Sequence, residues 1–134
     1  MSITFSKLSP VFVGEVSTID LRQVRDRETL EKIRAGMDEF GVLVFRNQQF
    51  TNDDQLDFAQ RFDGTLHAKT SVAVLGKNRF GNEALTDISN VNEKGEILAA
   101  DDRRRASTVS NRLWHTDASF EDPAGRYSML SARV

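Results

Sequence analysis

The sequence predicts a domain of the α+β class, on three observations. Apolar residues recur at spacings of three and four between Arg27 and Phe40, as in an amphipathic helix. The apolar run from Val42 to Phe45 follows at once and indicates a buried strand. A second helical segment begins after Thr51. Other short β-prone segments accompany these, so we expect two helices packed beside a sheet.

The sequence of residues 3–21 predicts edge strands separated by a bend. The β-prone pieces are Ile3 to Phe5, Val11 to Val13, and Val16, and they are interrupted by Pro10 and Gly14. Proline cannot donate a ladder hydrogen bond, and glycine favours sharp changes of direction. This region is therefore expected to be ordinary scaffold.

The two helices have recognisable ends. The first is expected to bury the stripe formed by Leu30, Ile33, Met37 and Phe40 and to end at Gly41. The second has Thr51 as N-cap and acidic residues in its first turn, where the helix dipole favours them. Its inner stripe is expected to be Leu56, Ala59 and Phe62, with Gly64 as its stop.

The second half of the chain has weaker patterns. Residues 65–86 are expected to form a long loop with one short strand from Ser71 to Leu75. A hairpin is predicted for Asp87 to Leu98, with its turn at residues 92–95, and a strand for Arg126 to Val134. The charge run from Asp101 to Arg105 is expected to be a solvated loop rather than an anion site.

Composition excludes several classes of function. The 134 residues carry a formal charge of -2, so no net positive field favours nucleic-acid binding. Cysteine is absent, which leaves His, Asp and Glu as the available metal ligands. Neither a signal-peptide run nor a membrane-length apolar segment is present, so we expect a cytoplasmic protein without a membrane partner.

The chemistry of the chain centres on the segment from Asn111 to Phe120, which contains His115 and Asp117. If the segment is a strand, both side chains lie on one face and could hold one metal ion. Two histidines and one carboxylate on one face bind iron(II) and leave open positions for a chelating co-substrate and dioxygen. By itself the spacing also fits a histidine hydrogen-bonded to a neighbouring strand.

The wider context resembles a known family. The motifs are NRLWHTDASF at 111–120, the segment at 121–133, DISNVNEKG at 87–95, MDEFGVLVFRNQ at 37–48 and FAQRFDG at 58–64. Together they resemble the taurine/2,4-D dioxygenase family of iron(II)- and 2-oxoglutarate-dependent oxygenases. The likeness is closest to its 2,4-dichlorophenoxyacetate and phenoxyalkanoate branch, and it covers nearly the whole chain.

The resemblance implies a partial double-stranded β-helix, or jelly roll, with two flanking helices. It makes His115 and Asp117 iron ligands and places three residues near the substrate: Asn111, Ala118 and Lys69. Lys69 could pair with a substrate carboxylate. Each of these three also has a plainer interpretation, as a turn cap, a core residue and a solvated loop lysine respectively. Trp114 is expected to pack away from the ligands.

The family's remaining ligands lie beyond this sequence. Relatives use a distant histidine as third ligand, followed by an arginine that binds 2-oxoglutarate, and a threonine also contacts that co-substrate. His67 stands in a different motif context and does not qualify as the missing ligand. We therefore expect residues 1–134 to be the N-terminal part of a single dioxygenase domain, without a 2-oxoglutarate-binding residue of its own.

Three functional hypotheses follow. The first is a dioxygenase that uses iron(II) and 2-oxoglutarate, with ascorbate as activator, to hydroxylate a small carboxylic acid such as a phenoxyacetate. The resulting hemiacetal would collapse to a phenol and an oxoacid, and the enzyme could be a homo-oligomer. The second is an inactive truncated chain or interaction module. The third, which the shortage of histidines disfavours, is a zinc hydrolase that uses His115 and Asp117.

Overall fold

The structure is a computed structural model, and it describes residues 2–67, 80–92, 94–105, 112–117, 119 and 121–133. The chain divides into two compact units, Met1–Gly64 and Thr65–Val134. Two α-helices, one 3₁₀ helix and three strands lie in the described part of the first unit. The α+β class predicted from the sequence is confirmed.

The first unit contains a three-stranded sheet in the order β1-β2-β3. Strand β1 (Phe5–Lys7) runs antiparallel to β2 (Gly14–Val16), and β2 runs parallel to β3 (Leu43–Val44). The predicted strand at Val11 to Val13 is wrong, since Val11 is 85% exposed in the bend between β1 and β2. A hydrogen bond from the Leu8 amide to the Val13 carbonyl closes that bend at 3.0 Å.

Helix α1 (Arg27–Phe40) matches the prediction at both ends. The Asp26 side chain accepts from the Thr29 amide at 2.9 Å, which satisfies one of the free donors of the first turn. The positive φ of 68° at Gly41 ends the helix. Three residues of the predicted stripe are buried: Leu30, Ile33 and Phe40.

Two glycines allow α1 to approach the sheet closely. A Cβ atom at Gly36 of the helix would lie 2.6 Å from Cε1 of Phe5, and one at Gly14 of β2 would lie 2.8 Å from the Phe40 ring. The Phe5 and Phe40 rings are 5.8 Å apart between centroids. The close packing of α1 on the sheet therefore requires glycine at both positions. The buried apolar residues of the first unit are Ile3, Val16, Ile19, Leu21, Val24, Leu30, Ile33, Phe40 and Phe58.

Helix α2 (Asn52–Gln60) begins with the predicted N-cap, Thr51. Thr51 and Asp54 form a capping box in which each side chain accepts from the other's backbone amide, at 3.1 and 2.9 Å. The buried residue of this helix is Phe58 rather than the predicted stripe, whose members are only partly buried. The helix also ends at Gln60, four residues before Gly64.

Arg61 and Gln48 hold the segment before α1 in place. The Arg61 guanidinium donates to the carbonyls of Leu21 and Val24 at 2.9 and 2.6 Å, at the end of a 3₁₀ helix (Leu21–Gln23). The Gln48 amide group donates to the Ile19 carbonyl at 2.6 Å and accepts from the Leu21 amide at 3.0 Å. Side chains thus satisfy backbone groups that a short 3₁₀ helix leaves open.

The second unit is held by turns in its described residues. Val91 and Ile97 pair antiparallel at one bridge, so the predicted hairpin is present in reduced form. Asn92 organises its turn by accepting from the Glu96 amide at 3.0 Å. Residues 126–133 carry no strand, so the predicted strand there is wrong for the described residues. The predicted strand from Ser71 to Leu75 lies outside them.

Within the charge run from Asp101 to Arg105, two side chains bind each other. Arg104 donates to the Asp102 carboxylate at 2.8 and 3.1 Å, and these hydrogen bonds lower the pKa of Asp102 to about 2. Both side chains remain partly exposed. The run therefore neutralises part of its own charge. Residues 103–105 are helical, so the predicted loop is wrong for these three residues.

Of the helices in the described residues, none has the length and apolarity of a membrane span.

Candidate metal centre

The segment around His115 belongs to no strand. Residues 114–116 have neither helical nor strand hydrogen bonding, and within the described ranges no partner strand lies beside them. The prediction that the motif is a strand is therefore wrong for its described part. A strand needs a ladder partner as well as β-prone residues, and the local sequence cannot supply one.

The side chains of His115 and Asp117 nonetheless come together. Nε2 of His115 lies 3.2 Å from Oδ1 of Asp117. The predicted pairing of these two groups is thus present, although the predicted strand is not.

A backbone carbonyl orients the His115 ring. Nδ1 of His115 lies 2.8 Å from the carbonyl oxygen of Leu113. Because a carbonyl can only accept, a hydrogen bond here places a proton on Nδ1, and Nε2 is the ring nitrogen that faces Asp117. A metal-binding histidine uses the same arrangement, in which the second nitrogen donates to a fixed acceptor.

Asp117 has a second contact that leaves most of its carboxylate open. Oδ2 accepts a long hydrogen bond of 3.4 Å from the Ser128 hydroxyl. The Asp117 side chain is 65% exposed and that of His115 45% exposed. Both donor atoms can therefore be reached from solvent. A small cation could take the place of the direct contact between Nε2 and Oδ1.

The pair provides two donors of the right type but no complete site. Among the described residues, no group of three His, Asp or Glu side chains is arranged to hold a metal ion. An imidazole and a carboxylate suit iron(II), manganese(II) or zinc(II), and two donors alone hold such ions weakly. The residues present therefore fit two positions of a three-ligand face.

Most of the other candidate residues lie outside the described part of the chain. Asn111, Ala118 and Lys69 lie outside the described residues, so their proposed contacts with substrate stay predictions. Trp114 is 97% exposed, and the prediction that it packs is wrong. Leu113 beside it is also exposed, at 73%.

Sequence reasoning missed the two groups that position the pair. The Leu113 carbonyl could not be recognised because every residue carries one, and its role depends on the local backbone. Ser128 lies eleven residues from Asp117 and has no motif spacing to it. Its only signal in the sequence was its place in the segment that continues the motif.

Comparison with known proteins supplies context for the pair. The family model described as "Taurine catabolism dioxygenase TauD, TfdA family" matches residues 4–134. The alpha-ketoglutarate-dependent 2,4-dichlorophenoxyacetate dioxygenase of Cupriavidus pinatubonensis is 41% identical over the whole chain. The protein of the same name from a Burkholderia species is 40% identical, again over the whole chain.

These relatives are longer than the present chain, which spans 46% of the first and 45% of the second. The crystal structure of AAD-2 in complex with Mn(II) and N-oxalylglycine is similar in fold and sequence. It superposes with a TM-score of 0.71 at 33% identity, over 90% of this chain and 38% of the AAD-2 chain.

Proposed function

Because the chain belongs to the TauD/TfdA family of dioxygenases, we propose that it forms part of an iron(II)- and 2-oxoglutarate-dependent dioxygenase. The observation that carries the proposal is the approach of His115 Nε2 to Asp117 Oδ1 at 3.2 Å, with Nδ1 held by a carbonyl. The two side chains are the donors that such an oxygenase needs at neighbouring positions of its metal face.

In this proposal His115 and Asp117 hold the metal, and Leu113 and Ser128 orient them. The third ligand comes from polypeptide that the relatives possess and this chain does not span. Residues 1–134 would then form the first part of a single jelly-roll dioxygenase domain. The open side of the pair, which solvent reaches, is where that ligand and the co-substrate would approach.

The co-substrate assignment is supported by what the relatives bind. Two of them are described as alpha-ketoglutarate-dependent, and AAD-2 was crystallised with Mn(II) and N-oxalylglycine. N-oxalylglycine differs from 2-oxoglutarate by one NH group in place of a methylene. When bound, the metal would couple oxidative decarboxylation of 2-oxoglutarate to succinate with hydroxylation of a second substrate.

The substrate we propose is a small carboxylic acid such as a phenoxyacetate. Hydroxylation of the carbon beside the ether oxygen gives a hemiacetal, which collapses to a phenol and an oxoacid. Lys69 would pair with the carboxylate, and Asn111 and Ala118 would line the pocket. Dioxygen is the remaining reactant, and ascorbate would keep the metal reduced.

A manganese titration tests the ligand assignment independently of turnover. Mn(II) binding is followed by loss of the free-ion signal in electron paramagnetic resonance. His115→Ala and Asp117→Ala should each weaken binding by at least about tenfold, because even loss of an outer-shell partner costs about 10–100-fold in metal affinity. His67→Ala is the matched control, since it removes the chain's other histidine. Binding that survives in both test variants would overturn the assignment.

A second candidate is an inactive chain that serves as an interaction module, and two observations favour it. The described residues hold no complete metal-binding group, and the chain spans less than half of its relatives. The discriminating assay supplies iron(II), 2-oxoglutarate, ascorbate and a phenoxyacetate and measures succinate. Succinate release that disappears in His115→Ala supports the oxygenase. If the chain neither releases succinate nor binds Mn(II), the result supports the interaction module.

A further inference from the structure

The two carboxylate oxygens of Asp117 have different partners. Oδ1 lies 3.2 Å from Nε2 of His115, whereas Oδ2 accepts a hydrogen bond of 3.4 Å from the hydroxyl of Ser128. Within the described ranges these two side chains are the partners of the carboxylate. The oxygen that faces the imidazole is therefore not the oxygen that Ser128 holds.

The segment that carries Ser128 has partly buried residues on both sides of the serine. Tyr127 and Met129 are partly buried, and the hydroxyl oxygen of Tyr127 is closed to solvent. Ser128 itself is exposed, and so is the side chain of Asp117. The Ser128 hydroxyl therefore meets the carboxylate on the side of the candidate centre that solvent reaches, from a backbone whose neighbouring side chains are packed.

The hydrogen bond between Ser128 and Asp117 contributes little to folding. Both groups are exposed, so water competes with each of them for the same bond. The distance of 3.4 Å is also long for a hydroxyl that donates to a carboxylate. Hydrogen bonds in active sites are often long in the free protein and tighten when the ligand binds. The contact therefore matters more for the geometry of the centre than for stability.

A hydroxyl group is chemically suited to this position. It donates one hydrogen bond and brings no positive charge. A lysine or arginine there would form an ion pair with Asp117 and would compete with a metal ion for the carboxylate. Among the described residues, no lysine or arginine forms such a pair with Asp117. Serine therefore restrains one oxygen and leaves the negative charge of the carboxylate available to a cation.

We propose that Ser128 is a positioning residue of the candidate metal centre. Its hydroxyl holds Oδ2 of Asp117, so that Oδ1 is the oxygen offered to the metal beside Nε2 of His115. A carboxylate that binds through one oxygen takes one position on the ion and leaves the others for further ligands. This role rests on the proposed function, because it requires that His115 and Asp117 hold the metal.

Nuclear magnetic resonance tests the position of Asp117 without any metal. The full chain carries His115→Ala, which removes the other described partner of the carboxylate. Three-bond couplings between Hα and Hβ then report whether the Asp117 side chain keeps one rotamer. The couplings should have the values of a single rotamer with Ser128 or with Ser128→Thr, and averaged values with Ser128→Ala. Averaged couplings with Ser128 present, or no change on its loss, would overturn the proposal.

Mn(II) binding, followed by electron paramagnetic resonance, tests the effect on the metal. In the otherwise unmodified chain, Ser128→Ala should weaken binding by about tenfold, as loss of an outer-shell partner does elsewhere. Ser128→Thr keeps the hydroxyl and should stay within about threefold of the unmodified chain. Ser119→Ala is the matched control, because the Ser119 hydroxyl accepts from Thr116 at 2.8 Å in the same segment. An unchanged urea midpoint shows that each variant keeps its fold.

The outcomes separate the role of Ser128 from the ligand assignment. If His115→Ala weakens Mn(II) binding and Ser128→Ala does not, the ligand assignment stands and the role of Ser128 is wrong. If Ser119→Ala weakens binding as much as Ser128→Ala, the loss reflects a general loosening of the segment, and the role of Ser128 is again wrong. If the unmodified chain does not bind Mn(II), both proposals fail. A loss confined to Ser128→Ala and restored in Ser128→Thr supports the positioning role.

Discussion

At the scale of single residues, Arg61 makes several contacts with the backbone. Its side chain is 10% exposed and donates to three carbonyls of the segment before α1, those of Leu21, Arg22 and Val24. It also forms an ion pair with Asp57 one turn earlier in the chain and stacks on Phe58 at 5.6 Å. The planar guanidinium can reach several acceptors at once, which the lysine ammonium cannot.

Substitution of Arg61 should therefore destabilise the first unit. Arg61→Lys is expected to lower the free energy of unfolding by about 1–3 kcal/mol, because carbonyl acceptors that lie away from solvent lose their donors. Urea denaturation followed by circular dichroism measures the change. Arg27→Lys, at a side chain that is 92% exposed, is the control and should change the value by less than about 0.5 kcal/mol. Equal effects of the two variants would contradict the role of Arg61.

The residues that were predicted correctly are those whose role is local. Thr51, Gly41 and the stripe of α1 follow from spacing and capping alone. Phe58 was missed because a nine-residue helix gives too short a pattern to fix which face turns inward. Arg61 was missed because its partners lie 37 to 40 residues earlier in the chain. Trp114 was misjudged because alternation indicates a direction and not what lies there.

At the scale of elements, the starts of the helices were predicted well and the strands unevenly. The strand predicted at Val42 to Phe45 is present as β3, whereas those at Val11 to Val13 and in residues 126–133 are not. Helix ends depend on caps within a few residues, as Asp26 and Thr51 illustrate. Strands depend on partners far away in the sequence. β2 pairs with β3 across almost thirty residues, and the expected strand at residues 126–133 has no described partner. The physical reason is that ladder hydrogen bonds join segments that are distant in the sequence, so local residues do not determine them.

The helix caps make the fold sensitive to acid. Hydrogen bonds from the Thr51 hydroxyl and amide hold the pKa of Asp54 below its ordinary value of 3.8. Bonds from Thr29 likewise lower the pKa of Asp26. A carboxyl with a lowered folded-state pKa contributes stability above its unfolded pKa, and this contribution is lost as pH falls through the folded value. Acid should therefore weaken the starts of both helices.

The acid effect can be measured from the urea midpoint between about pH 6 and about pH 2. The midpoint should fall as pH drops below 3.8, and it should fall less in Asp54→Asn, which cannot titrate at that position. Asp53→Asn removes a carboxylate of the same turn but leaves the capping box intact, so it should retain the contribution of Asp54. An identical acid response in Asp54→Asn and the unmodified chain would refute the assignment.

At the scale of the whole molecule, the described residues form a first unit with most of the regular elements and a second unit with turns and a short helical segment at residues 103–105. Within the described residues, Met1–Gly64 contains α1, α2, the three strands of the sheet and most of the buried apolar residues. In the described part of Thr65–Val134 the buried apolar residues are Leu85 and Leu98. The candidate metal pair belongs to this second unit, so its geometry rests on local contacts.

The first unit should keep its helices when expressed without the second. A chain of residues 1–64 is expected to retain most of the helical ellipticity of the full protein, because the caps, the sheet and the core that support α1 and α2 lie within it. Its stability should be low, since a unit of this size rarely exceeds about 3–5 kcal/mol. Circular dichroism on both chains gives the answer. Loss of the helical signal would show that the first unit depends on later residues.

The site was predictable only as far as chemistry and spacing allow. His115 and Asp117 were identified from their residue types and separation, and the structure brings them within 3.2 Å. The strand expected to present them was not found in the described residues, because the local sequence does not supply a ladder partner. The contacts of Asn111, Ala118 and Lys69 with a substrate stay predictions.

The contact between α1 and the sheet has a consequence for how related sequences can vary. Gly14 lies against the Phe40 ring, and Gly36 lies against the Phe5 ring. A larger residue at either glycine fits only where the facing aromatic residue becomes smaller. Across homologues these four positions should therefore covary, exchanging volume between helix and sheet while their total stays nearly constant.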